Sequence, residues 1–192
     1  MTQPERGFPR SEYELRTERA HALMTSLDLD ALVVCTEPEV RYLTGFHTPF
    51  WQSPTRPWFV VLPAAGPPIA VIPEIGASAM AGTWVDDIRT WPAPRPADDG
   101  LSLLVDTIGE VAGRRAGSSG RIGLPMGHET HVRMPLSDLD ALRDRIQPLQ
   151  LVDATHVVRS LRMVKSDREI AKTTHICGIV SGAFEGIGDL LS

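Results

Sequence analysis

The residues best suited to chemistry lie in one short stretch, Phe46-His47-Thr48-Pro49-Phe50-Trp51-Gln52-Ser53-Pro54-Thr55-Arg56-Pro57-Trp58. Four aromatic rings, a histidine and an arginine are gathered into a loop broken by prolines. Such side chains combine large apolar area with directed polarity, the composition of a contact with a ligand or partner. The bland alternative is that Phe50, Trp51 and Trp58 plug the end of a core.

No other group of residues completes a reaction centre. The run His128-Glu129-Thr130-His131 sets its histidines three apart, with Gly127 before it and Pro135 after. A zinc-binding H-E-x-x-H helix needs them at i and i+4, so a polar loop is the better reading. Asp28-Leu29-Asp30, where a helix hands over to a strand, and Asp138-Leu139-Asp140, in the first turn of a helix where carboxylates favour the positive end of the dipole, both read as caps. Gly117-Ser118-Ser119-Gly120 and Gly123 precede a strand, whereas phosphate-binding loops follow one and open a helix. There is no G-x-S-x-G elbow and no P-loop. The expected catalytic set is therefore none.

Composition bounds the class. The 192 residues are 42% hydrophobic, enough for a sizeable core. Lys plus Arg is 19 against 24 Asp plus Glu, which argues against a nucleic-acid footprint. Cys35 and Cys177 each sit in apolar surroundings and read as buried free thiols in a reducing compartment. The N-terminus is polar and charged, and no stretch approaches the roughly 18 apolar residues of a membrane helix. A soluble, cytoplasmic chain is expected.

The elements around the aromatic loop follow from hydrophobic period. Ser11 to Glu14 has the form of a capping box, with Leu15, Ala22, Leu23 and Leu27 forming one apolar face of the helix behind it. Ala31 to Cys35 is a short, β-branched run that reads as a strand buried on both faces. Runs at 58–62 and 69–72, joined by a Pro/Gly-rich turn, predict an antiparallel hairpin. Strands are expected near 87–91, 120–124 and 149–152, with helices near 101–112 and from a Ser137 cap through Ile146. Ser166-Asp167-Arg168-Glu169 is a second capping box, and the stripe Ile170, Thr173, Cys177, Val180, Phe184, Ile187, Leu191 predicts one long helix after it. Gly178, Gly182, Gly186 and Gly188 weaken that helix, so it needs tertiary support. The pattern predicts an α/β fold: a mixed, mostly parallel sheet with one hairpin and helices on both faces. A weak apolar helix close to Ser192 suggests a piece of something longer; folding back onto the sheet is the alternative.

Two motifs carry a family resemblance. Asp30 to Val34, then Glu37 to Phe46 with its Tyr42-Leu43-Thr44-Gly45-Phe46, resembles the first strand and signature of the creatinase/prolidase/aminopeptidase P N-terminal domain. Leu151 to Ala154, followed by Arg159 to Ile170, resembles the linker of those enzymes into their catalytic "pita-bread" domain. The resemblance implies a non-catalytic domain at 1–160 and, at 161–192, the linker and first helix of a catalytic domain. In peptidase members two Asp, one His and two Glu hold two divalent ions, of the Mn or Zn type, and these correspond to no position here. So no cofactor is expected in this chain, and whether the parent uses metal stays open, since creatinase needs none. The resemblance further implies a homodimer in which the aromatic loop narrows the neighbouring subunit's site for a small or Xaa-Pro substrate. The residues that match are His47, Phe50, Trp51, Arg56 and Trp58. A stand-alone protein- or peptide-binding module without activity is the other reading.

Overall fold

The computed structural model describes residues 3–53, 56–112 and 120–190. At its centre are three strands with every residue buried: β1 (Ala31–Val34), β2 (Phe59–Pro63) and β3 (Ile69–Pro73). Runs of Val, Ile and Leu bury both faces of a strand, so the sheet must be covered on both sides. β2 and β3 form the expected antiparallel hairpin, with Phe59 opposite Val71. β4 (Asp87–Trp91), β5 (Arg121–Leu124) and β6 (Gln150–Asp153) complete a six-stranded sheet of order β4-β3-β2-β1-β5-β6. Only the pairs β1·β2 and β2·β3 are antiparallel; the other three are parallel.

Alternation along the strands splits the core in two. One face sends Leu32, Val34, Val60, Leu62 and Ile72 to α1 (Arg10–Ser26), α2 (Glu37–Thr44) and α6 (Thr155–Met163). The other sends Ala31, Val33, Phe59, Val61 and Val71 to α4 (Leu101–Ala112) and α5 (Leu136–Arg145). A short α3 (Ala77–Ala81) packs beside β3 and β4. The α/β class, the mixed and mostly parallel sheet and the helices on both faces are as the sequence predicts.

Several local expectations fail for identifiable reasons. α1 begins at Arg10 with Pro9 as its N-cap and no side-chain cap, so Ser11 lies inside the helix. Its intended partner Glu14 instead accepts from Arg10 Nε at 3.0 Å. The buried face of α1 is Glu12, Tyr13, Arg16, Thr17, Ala20 and Met24, while Leu15 is 47% exposed. Apolar period misreads this helix because a buried ion pair, Glu12 with Arg16 at 3.2 Å, occupies its inner face. Likewise α5 is capped by Pro135 rather than Ser137.

The capping box at Ser166 and Glu169 forms as expected and opens α7 (Asp167–Glu185). The single long helix does not: Gly186 interrupts it before α8 (Ile187–Leu190), consistent with the low helix propensity of glycine. No residue of α7 is buried, and Ile170, Ile176, Ile179, Val180 and Phe184 stand exposed. Cys177 is exposed with them, contrary to the expectation of a buried thiol. Gly117 to Ser119 and Leu191 lie outside the described residues, so neither the glycine-rich loop nor the end of the stripe is described.

Candidate functional site

The aromatic loop is built on Trp58, which enters β2 and is 1% exposed. A Cβ on Gly76 would overlap the Trp58 ring, so only glycine admits the indole there. Phe46 packs on Trp58 with centroids 5.4 Å apart, and Trp51 lies 5.9 Å from it. Phe50 stacks over the same indole at 6.2 Å with 15° between planes, yet stays 39% exposed. Offset ring pairs of this kind contribute about 0.5–1.5 kcal/mol beyond burial, enough to fix the loop's rings.

Local backbone signals shape the approach to this platform. α2 ends at Gly45 in the left-handed region (φ 79°), where the Tyr13 hydroxyl leaves no room for a Cβ. Thr48 then caps a 3-10 turn over Pro49–Gln52, its hydroxyl accepting from the Phe50 amide at 3.3 Å. Arg56 has φ 65°, a conformation that costs a non-glycine residue energy and persists only where neighbours enforce it.

The enforcing neighbour is Arg133, from the loop between β5 and α5. Its Nη1 donates to the carbonyl of Arg56 at 2.8 Å, and Nη2 donates to the carbonyl of Ser53. Its guanidinium lies 5.2 Å from the Trp51 ring centroid, and its amide donates to Cys35 Sγ at 3.3 Å. Burial pulls the Arg133 guanidinium below its ordinary range and pushes the Cys35 thiol up to about 11. Cys35 is thus a neutral, protonated group at neutral pH rather than a nucleophile.

Of the residues singled out in sequence, the structure brings Phe50, Trp51 and Trp58 into one stack. Trp58 is its buried anchor, and Trp51 its half-buried wall. Phe50 is exposed, and Arg56 is half-buried like Trp51. His47 is exposed, with Nδ1 3.9 Å from Glu37 Oε1. Arg133 is what sequence reading missed: an arginine in a polar loop carries no local sign that it will hold another loop.

A second polar assembly sits where α1 meets α7. Arg16, 2% exposed, lies 3.2 Å from Glu12 Oε1 and 3.1 Å from Glu169 Oε1, and donates to the carbonyl of Tyr42 at 2.9 Å. Its guanidinium also lies 4.3 Å from the Phe8 ring centroid and 4.2 Å from that of Tyr42. A buried charge with these partners is compensated, whereas one left alone would be strongly destabilising.

His128, Glu129 and His131 lie in a loop, with His128 87% exposed. Among the described residues no group of three or more His, Cys, Asp or Glu could hold a metal ion, so the residues present do not fit a two-metal centre. No described helix is long and apolar enough to cross a membrane.

Comparison with known proteins gives a consistent picture. A family model described as the creatinase/prolidase N-terminal domain matches residues 16–164. The uncharacterized hydrolase/peptidase y4tL of Sinorhizobium fredii is 27% identical over 94% of this chain and 46% of its own length. The dipeptidase PepE of Mycobacterium ulcerans superposes with a TM-score of 0.64 at 26% identity, covering 86% of this chain and 40% of that one. The N-terminal domain of the cytoplasmic peptidase PepQ of Mycobacterium tuberculosis superposes with a TM-score of 0.56 at 21% identity. It covers 77% of this chain and 98% of that one, a likeness of fold. The chain spans less than half the length of the curated relatives it matches.

Proposed function

Since the chain belongs to the creatinase/prolidase N-terminal domain family, we propose that it is the non-catalytic half of a cytoplasmic hydrolase acting on small amide or Xaa-Pro substrates. In this reading the metal ions, where the parent uses them, are held by another part of the protein, and no step passes through residues of this chain. Its own task is to associate with a second subunit and to narrow that subunit's site with the loop 46–58.

The observation that supports the reading is the loop's construction. A rigid stack of Trp51 and Trp58 carries Phe50 outward, and Arg133 fixes the backbone at Arg56. An arginine presented from a fixed backbone suits a substrate carboxylate, because the planar guanidinium can engage both oxygens. Phe50 would cover the apolar part of the substrate, with His47 at the edge.

The test is steady-state kinetics of the full-length enzyme on a short peptide substrate. Arg56→Ala should raise KM by about tenfold with kcat little changed, as expected for lost ground-state binding. Unchanged KM and kcat would remove Arg56 from the substrate site.

A further inference from the structure

At the carboxyl ends of β1 and β5 the chain departs in opposite directions. β1 runs into α2 on one face of the sheet, and β5 runs towards α5 on the other. In open α/β sheets, the crevice left by two neighbouring parallel strands that diverge in this way is where ligands bind. Here the crevice holds a cavity of about 190 Å3 lined by Cys35, Thr36, Glu39, Glu129, His131 and Arg162. It shares Glu39, Glu129, Thr130 and Arg162 with an outer cleft of about 430 Å3, a volume in the range of small-molecule sites.

Its polar groups have unused capacity. Thr36 is 7% exposed, and its hydroxyl, which caps nothing, has no hydrogen-bond partner among the described residues. Glu39 Oε1 pairs with Arg162 Nη1 at 3.0 Å, while buried Oε2 has no hydrogen-bond partner among them. Buried polar atoms in native proteins are almost always satisfied, so such atoms beside a cavity mark a ligand or water position.

Charges of opposite sign face each other across the crevice, Glu39 Oε1 against Arg162 at 3.0 Å and Glu129 Oε2 against Arg159 at 3.5 Å. The inner cavity has two carboxylates, Glu39 and Glu129, against one arginine. The outer cleft adds Arg159 and Lys165, with Glu169 further along. We propose that this crevice binds a free α-amino acid, its ammonium at Glu39, Glu129 and Thr36 and its carboxylate towards Arg159 and Arg162. Tyr42 and Val158 offer an apolar wall for the side chain. Carboxylates in the inner cavity disfavour a phosphate there, and the donor set does not fit a metal ion.

The experiment is calorimetric titration of the intact protein with L-alanine, and with propionate and propylamine as half-ligands. L-alanine should bind saturably and at least about tenfold more tightly than either half-ligand. Thr36→Val and Glu129→Gln should each weaken it at least about threefold, the scale of one lost hydrogen bond, with the melting curve unchanged. Arg56→Ala should leave it unaltered. Absence of saturable binding, equal binding of a half-ligand, or loss in Arg56→Ala with none in Glu129→Gln would each overturn the assignment. Glu129 lies in a loop, so its variant reads out even if a change at buried Thr36 perturbs folding.

Discussion

The guanidinium of Arg133 reaches the backbone carbonyl of Arg56, 77 positions away in sequence, at 2.8 Å. One residue of the loop after β5 thereby sets the shape of the loop before β2. Replacing Arg133 with Met removes two charge-assisted bonds and the contact with Trp51. The expected cost is about 2 kcal/mol of stability in chemical denaturation, with KM of the full-length enzyme raised as in Arg56→Ala. Arg133→Lys should restore less than half of the loss, since an ammonium cannot span both carbonyls as the fork does. Wild-type stability and kinetics in Arg133→Met would exclude the positioning role.

Gly76 makes room for Trp58. Gly76→Ala places a methyl where the indole already is, and overpacking of this kind costs about 1–3 kcal/mol. Thermal melts should show the loss, and the intrinsic tryptophan emission should shift as the ring is displaced. A melt like that of the parent would mean that the ring moves aside freely.

The two thiols differ in environment and should differ in reactivity. Cys177 is exposed on α7, while Cys35 is buried with its thiol pushed up to about 11. With a thiol-reactive chromophore at neutral pH, one equivalent should react quickly and the second only in denaturant. Rapid reaction of both would contradict the packing around Cys35.

Asp153 gives a pH signature. Burial alone would raise its carboxyl, but hydrogen bonds from the Thr155 hydroxyl and amide and from the Met126 amide outweigh it and hold the group below its usual range. Its contribution is therefore full above the unfolded carboxylate range and is lost as pH falls through the folded value. Asp153→Asn should destabilise by about 1 kcal/mol at neutral pH, the exposed position keeping the effect small, and the difference should shrink on acidification. A deficit that is constant with pH would show that the carboxylate charge is not involved.

The strands were legible in sequence because a run such as Ala31–Val34 can be buried on both faces in few other ways. α2 was not, being only eight residues long with Pro38 in its first turn. The inner face of α1 was hidden because Glu12 and Arg16 look like surface residues until Glu169 and the Phe8 and Tyr42 rings are brought to them. The aromatic loop announced itself by composition, which is local. Its support did not: Arg133 and Gly76 meet it only through the fold.

Glu169 divides its two oxygens between separate tasks. Oε2 accepts from the Ser166 amide to start α7, and Oε1 faces Arg16 to aim it. A single carboxylate therefore couples where the helix starts to where it is anchored, so that loosening one contact loosens the other. The joint between α1 and α7 thus behaves as one fastening rather than two.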